Sequence, residues 1–283
     1  MRADLSGWGR FPRVFGDLHR PRDAAGVRAL IGKGPVIARG NGRSYGDAAA
    51  QPKCTIDMRG MAHMLSFDAE TGVLEAEAGG MLGDVIAAFL PRGWFPPVTP
   101  GTKFVTLGGM IAADVHGKNH RRDGSIGRHV DWVDVMGPDG TVRRASARDN
   151  SDLFARTVGG MGLTGVILRA ALRLMPVPSG WIRQETVAAA NLTEAMDIFE
   201  TATTRYSVAW FDCLARGDAL GRSLVMLGDH AEPQDLRDVR RDVIGDRPVD
   251  RFDDDDVERL VERLAALDAR DYGVTLGISC EAC

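Results

Sequence analysis

The stretch "ARGNGRSYGD", Ala38 to Asp47, follows the apolar pair Val36-Ile37 and sets Gly40, Gly42 and Gly46 among two arginines and a tyrosine. Glycine permits positive φ and lets successive backbone N–H groups turn into one concavity, where they can meet phosphate oxygens with no side chain in the way. One such loop says little, because turns use glycine routinely. Two more follow, "PGTKFVTLGGMIAADVHGKNH" from Pro100 and "TVGGMGLTGV" from Thr157. Three in one predicted domain imply a long anionic cofactor lying along several loops. In this reading "TLGGM", from Thr106, offers N–H donors near a helix N-terminus for a pyrophosphate.

The usual nucleotide motifs do not fit. The first loop is one residue longer than G-x-G-x-x-G, and Asp47 to Pro52 is not a long amphipathic helix, which argues against a Rossmann dinucleotide site. Gly117-Lys118 is followed by Asn119 and lacks the upstream glycine of a P-loop, so ATP or GTP hydrolysis is not expected. The 283 residues carry 35 Lys+Arg against 39 Asp+Glu, a formal net charge of -4 that gives no global pull toward nucleic acid or an anionic membrane. Any anion site must therefore be local. Four scattered cysteines, no apolar leader and no long apolar run lead to the expectation of a cytoplasmic chain without a transmembrane segment.

Strand and helix signals intermix without a strict βαβ rhythm, which predicts an α+β fold. Asp23 caps a helix to Leu30, which Gly32 to Pro35 stops before a strand at Val36. A hairpin turns at Asp68 to Gly72, an amphipathic helix runs from Leu82 to Leu90, and a second hairpin turns at Pro138-Asp139-Gly140. Asn150 or Ser151 caps a helix, and "GLTGVILRAALRLMPV" gives a long apolar strand. Pro176 to Gly180 breaks the pattern and marks a domain boundary.

The segments "GWGRF", "VIARGNGRSYGD", "TPGTKFVTLGGMIAADVHGKNHRRDGSIGRHV", "LFARTVGGMGLTGVILRA" and "SVAWFD" together resemble the decaprenylphosphoryl-β-D-ribose oxidases, from about Gly7 to about Leu236. These are FAD enzymes with the PCMH-type binding fold of vanillyl-alcohol oxidase and p-cresol methylhydroxylase. The resemblance implies an FAD-binding domain of two α+β subdomains over residues 7–178 and a partial substrate or cap domain over 179–283. By it, Ala38, Arg39, Gly40, Asn41, Gly42, Arg43, Ser44, Tyr45, Gly46 and Asp47 form the loop that wraps the FAD pyrophosphate. Gly101, Thr106, Leu107, Gly108 and Gly109 resemble the second cofactor loop. Ala113, Asp114, Val115 and His116 resemble the segment under the isoalloxazine, and Ile167 a backbone contact near the adenine end.

The resemblance also implies a reaction. It is oxidation of the ribose 2′-hydroxyl of a polyprenyl-phosphate sugar to a keto sugar, which a separate NADH-dependent reductase returns inverted, toward an arabinose donor for the cell wall. His116 resembles the histidine beside flavin and sugar, Trp210 a substrate-pocket aromatic, and Lys118 and Asn119 stand where a substrate phosphate could be met. A lipid substrate implies peripheral contact with a membrane. Arg43 occupies the place at which several related oxidases carry a histidine bonded to the flavin, so the expected FAD is non-covalent. Alternatives are an alditol or aldonolactone oxidase of the same fold and an inactive FAD-binding remnant.

The last is kept open by the C-terminus. From about Glu232 the sequence stops resembling the family, whose lysine base or anchor and flavin-touching tyrosine lie in a C-terminal third, so the expectation is a truncated or frame-shifted product. There Asp253 to Asp256 cap an apolar-striped helix, and Cys280 and Cys283 form a lone C-x-x-C with no redox role expected. His116 and His120 are spaced i, i+4 as metal ligands on a helix would be, but Gly117 and Asn119 break such a helix and no metal is expected. Trp210, between Ala209 and Phe211, reads equally well as core.

Overall fold

The computed structural model describes residues 1–236 and the strand 275–277. The chain divides into two compact units, Met1–Val177 and the residues from Pro178 onward. The acidic run at Asp253, the helix predicted after it and the Cys280/Cys283 pair lie outside the described residues.

The first unit begins with β1 (Arg2–Leu5) and β2 (Val14–His19), antiparallel neighbours. Helix α1 (Ala24–Arg28) follows, with Asp23 accepting from the Gly26 amide as its N-cap and Val27 buried beneath it. The chain then enters β3 (Ile37–Arg39), leaves it through the first glycine loop and returns as β4 (Thr55–Asp57). β3 and β2 both lie parallel to β4, giving a sheet of order β1-β2-β4-β3 in which β3 is the edge. The glycine loop therefore leaves a sheet corner with one flank unpaired, where main chain can approach a ligand.

The predicted hairpin around Asp68 to Gly72 is β5 (Met64–Asp68) and β6 (Val73–Glu77). The predicted amphipathic helix is α2 (Leu82–Phe89), which buries Leu82, Val85, Ile86 and Phe89. A short β7 (Trp94–Phe95) precedes the second glycine loop, and α3 (Leu107–Ala112) starts at Thr106, whose hydroxyl accepts from the Gly109 amide. One turn, α4 (His120–Asp123), leads to the second predicted hairpin, β8 (Val130–Met136) and β9 (Val142–Ser146).

Asn150 precedes α5 (Ser151–Thr157) in the left-handed region and makes no capping bond; its side chain donates instead to the Arg144 carbonyl. The long apolar strand is β10 (Val166–Arg173), central in an antiparallel sheet of order β5-β6-β10-β8-β9, and β11 (Met175–Pro176) pairs with β7. Val27, Ile56, Met58, Met136, Val166 and Leu168 pack together as one buried cluster that locks the first sheet to the second. Burial at about 25 cal/mol per Å² makes this seam a source of the unit's stability.

The second unit holds β12 (Ile182–Ala189), α6 (Leu192–Thr201), β13 (Tyr206–Phe211), β14 (Ser223–His230) and β15 (Thr275–Gly277). Its antiparallel sheet has the order β13-β14-β12-β15. Asn191 caps α6 and Ala195 packs on Ala189 and Val225. Both units mix helices and strands, so the fold is α+β.

Candidate FAD site

Where the first glycine loop faces the start of α3, a cleft opens with about 870 Å³ of non-protein space, its mouth included. Its wall carries mostly small side chains: of 22 lining residues, six are alanine and six are glycine, and Arg43 is the single charged residue. No carboxylate in this lining would oppose an anion, and small residues leave room for main chain to approach one.

The two loops touch. A Cβ on residue 40 would stand 2.2 Å from Thr106 Oγ1, so only glycine allows this approach. At residue 42, φ is 67° and a Cβ would meet the Arg39 guanidinium at 2.3 Å; glycine is required twice over. Among the described residues, the backbone N–H groups of Asn41, Gly42, Arg43 and Ser44 donate to no protein acceptor. Four consecutive amides without partners, beside one arginine, fit a diphosphate.

The predicted donors of the second loop behave differently. The Leu107 amide donates to the Gly80 carbonyl at 2.9 Å and the Gly108 amide to the Ala78 carbonyl at 2.7 Å, while the Gly109 amide reaches Thr106 Oγ1 at 3.3 Å. The expectation that "TLGGM" supplies free amides for a pyrophosphate is therefore corrected. Those groups dock α3 onto the turn after β6, and the segment contributes surface: Thr106, Gly108 and Gly109 line the cleft, while Leu107 is buried in the core.

The other predicted cofactor residues divide in the same way. Ala38, Gly40, Asn41, Gly42, Arg43 and Ser44 line the cleft, as do Ala113, Val115 and Ile167. Arg39 does not. Its guanidinium donates to the Ser6 and Ala49 carbonyls at 2.7 and 3.1 Å, tying the loop's base to the N-terminal segment. Burial, followed by the nearby Arg59 charge, pulls that guanidinium below its ordinary pKa. Arg39 thus closes the loop, while Arg43, which donates to the Asn41 carbonyl at 3.1 Å, lines the cleft.

Tyr45, Gly46, Asp47 and Gly101 also lie outside the lining, and Tyr45 is 77% exposed. Asp114 turns away with φ 42° to accept from Ser125 Oγ and the Gly127 amide, which fixes the bend between α3 and the following bridge.

None of the predicted chemistry-bearing side chains is among the lining residues. His116 is exposed and next in chain to the lining residue Val115; it pairs in a bridge with Ser125, and its ring lies 5.2 Å from that of His120. Lys118 is exposed. Asn119 is buried, and its Nδ2 donates to the Pro97 carbonyl at 2.6 Å and to Asp123 Oδ2 at 2.7 Å. Its Nδ2 is thus committed to the loop, while its buried Oδ1 has no hydrogen-bond partner among the described residues. Trp210 belongs to the second unit, where it is 52% exposed on the edge strand β13; the core reading of this residue is overturned.

Sequence reading missed residues behind the loop. Asp57 is fully buried, accepts from Arg20 Nε at 2.8 Å, and takes Arg59 Nε and Nη2 at 2.9 and 2.8 Å. Burial alone would raise its carboxyl, but the hydrogen bonds from Arg59 and Arg20 outweigh it and hold the group below the ordinary carboxylate range. "IDMRG" carries an Asp and Arg two apart, yet nothing in that spacing points to the loop near Asn41. Met161, Gly162 and Gly165 of the third glycine segment also line the cleft, with Met161 at φ 52°.

With this geometry in place, known proteins add the cofactor. Residues 22–146 match a family model described as an FAD binding domain. The chain is 39% identical over 244 residues to a decaprenylphosphoryl-beta-D-ribose oxidase of Mycolicibacterium smegmatis, covering 82% of this chain and 53% of that protein. It is 31% identical over 182 residues to an uncharacterized oxidoreductase of the fasciation locus of Rhodococcoides fascians, covering 64% and 40% of the two chains. Cytokinin dehydrogenase 7 of Oryza sativa subsp. japonica is 30% identical over 198 residues, 67% of this chain and 37% of that one. The chain spans about half the length of the first of these relatives and less of the others. FAD is the cofactor that the first unit holds.

Proposed function

We propose, from the premise that residues 22–146 of this chain are an FAD binding domain, that the chain is the flavin-holding part of an oxidoreductase acting on a sugar hydroxyl. The hydroxyl is the ribose 2′-OH of a polyprenyl-phosphate sugar, and the product is the 2′-keto sugar. One observation carries the cofactor half of this reading: Asn41 to Ser44, whose four amides have no protein acceptor, line a cleft that no carboxylate lines. The substrate half rests on the 39% identity to the Mycolicibacterium oxidase.

The chain's own residues divide the work. Asn41 to Ser44 hold the diphosphate through main chain, and Arg43 adds the one charge. The small side chains Ala112, Ala113 and Val115 give a planar ring access along the far wall. Bound flavin supplies a two-electron acceptor for hydride. As the C2′ hydrogen leaves with its electron pair, the hydroxyl proton must go to a base, and His116, next in chain to Val115, is the candidate. Lys118 and Trp210 are the candidates for the substrate's phosphate and ring. A keto-reductase that consumes the 2′-keto product completes the sequence. The lipid on the substrate calls for contact with a membrane surface; among the described residues no helix is long and apolar enough to cross one.

Purified chain loaded with FAD tests the reading. Flavin bands near ~450 nm should bleach with a phosphoribosyl lipid analogue and not with free xylitol. Bleaching by xylitol alone would move the assignment to an alditol oxidase, and bands that no sugar bleaches would make the chain an FAD-binding unit without oxidase activity. Acid precipitation should leave the yellow colour in the supernatant, because the Arg43 guanidinium cannot form the bond that a histidine makes there.

A further inference from the structure

The Asn41 side chain bridges two loops. Its Oδ1 accepts from Arg59 Nη1 at 2.9 Å, and its Nδ2 donates to the Phe104 carbonyl at 2.9 Å. Arg59 is fixed in turn by its fork onto Asp57, a fully buried carboxylate at the end of β4 that stands in register with Arg39 at the end of β3. A continuous path therefore runs from the sheet corner through Asp57, Arg59 and Asn41 to the carbonyl of the second loop. It ends beside the place where Gly40 and Thr106 approach most closely.

A buried carboxylate is retained only when fully paired, and here its pairing is spent on aiming an arginine at a loop side chain. Both ends of the Asn41 amide are consumed by protein, so that side chain has little left for a ligand, while the four amides from Asn41 onward have no protein acceptor. We infer that Asp57, Arg59 and Asn41 form a positioning clip, which holds the two glycine loops at the spacing that lets the Asn41 to Ser44 amides converge on the diphosphate. This rests on the FAD reading of the cleft and deepens it. Asn41 acts through its side chain as a tie, and through its backbone as a donor.

The test titrates FAD into apo protein by flavin fluorescence and follows the apo thermal midpoint separately. Asn41 lies at a partly exposed position, so Asn41→Ala should fold. Losing two hydrogen bonds at a binding loop predicts a Kd raised by about tenfold or more. The apo midpoint should fall by no more than about 2–4 °C, the equivalent of about 1 kcal/mol in a unit of this size. Val133→Ala, in the buried centre of β8, is the control: it should lower the midpoint at least as far and leave Kd unchanged.

Arg59→Lys keeps a charge against Asp57 but lacks the fork that also reaches Asn41. Adding Asn41→Ala to it should cost no further FAD affinity. The clip is overturned if Asn41→Ala binds FAD within about twofold of wild type, well under the factor that two bonds predict. It is equally overturned if Val133→Ala raises Kd as much, or if the two clip substitutions add fully. Wild-type protein that takes up no FAD refutes the cofactor reading itself, before any variant is made.

Discussion

Gly40→Ala asks whether contact between the two glycine loops sets the cleft. A methyl on residue 40 would stand 2.2 Å from Thr106 Oγ1 and 3.3 Å from its Cβ and Cγ2. A normal non-bonded contact is roughly 3.5 Å, so the loops must part by more than about 1 Å. Overpacking of this kind costs about 1–3 kcal/mol. At about 2–4 °C per kcal/mol for a unit this size, the apo thermal midpoint should drop by about 2–12 °C. FAD affinity should fall as well, since the amides no longer converge. Thr106→Ala alone removes the hydroxyl that caps α3 and should cost about 1 kcal/mol. Independent losses would sum to about 2–4 kcal/mol, whereas removing Oγ1 also removes the overlap, so the double variant should lose only about 1 kcal/mol. Urea unfolding of the four apo proteins reads this directly. Strict additivity, or a Gly40→Ala protein as stable as wild type, would refute the claim that the loops are packed to contact there.

Three further outcomes follow from the same geometry. Asp57→Asn should destabilise by about 2 kcal/mol at neutral pH, because hydrogen bonds from two arginines to a charged acceptor are lost. Asp57 has a folded pKa below its unfolded value, so its contribution is present above the ordinary carboxylate pKa and fades as pH falls through the lower folded one. Melts at neutral pH and at successively more acidic pH should show the wild-type advantage shrinking, and a constant gap would count against the ion pairs. Arg43→Gln should raise the FAD Kd about tenfold and flatten its salt dependence, measured by titration at two ionic strengths. His116→Ala should leave FAD bound and slow bleaching by about 10²-fold or more, the usual scale for a lost general base, and unchanged stopped-flow kinetics would remove His116 from the chemistry.

The elements were legible because each carried its own local signal. Asp23 stands where a short polar side chain satisfies a helix amide, and the turns at Gly72 and Gly140 need positive φ that glycine supplies. The cleft was legible as three glycine segments, since close approach of main chain leaves that mark. What the sequence could not reveal is which amides remain unpaired. Leu107 and Gly108 look like the best donors on paper, yet Gly80 and Ala78, nearly thirty residues upstream, take their hydrogens. Arg39 and Arg43 are likewise equivalent in the sequence, yet Arg39 ties the loop to the distant Ser6 carbonyl and to that of Ala49, whereas Arg43 hydrogen-bonds within the loop, to the Asn41 carbonyl, and lines the cleft. The Asp57–Arg59–Asn41 path was invisible for the same reason: its partners meet through the parallel pairing of β3 with β4, a contact that no local pattern encodes.

That division between spent and unspent donors also explains why the site carries so little charge. A diphosphate bound chiefly by side-chain cations would need several lysines or arginines crowded into one cleft, each repelling the others before the ligand arrives. Here the Arg39 guanidinium is held by carbonyl oxygens, Arg59 is paired with Asp57, and Arg43 is the one charged residue of the cleft lining. The amides of Asn41 to Ser44 are dipoles with no net charge, so they can be gathered tightly at no such cost, provided something holds the loop in place. In this chain the holding is done by groups that never need to touch the ligand: buried Asp57 behind the loop, the Gly40–Thr106 contact beside it, and the Arg39 tie at its base. Of these three arginines, two are spent on fixing the loop and one is left in the cleft lining, which is the division expected where amides rather than cations are to meet a diphosphate.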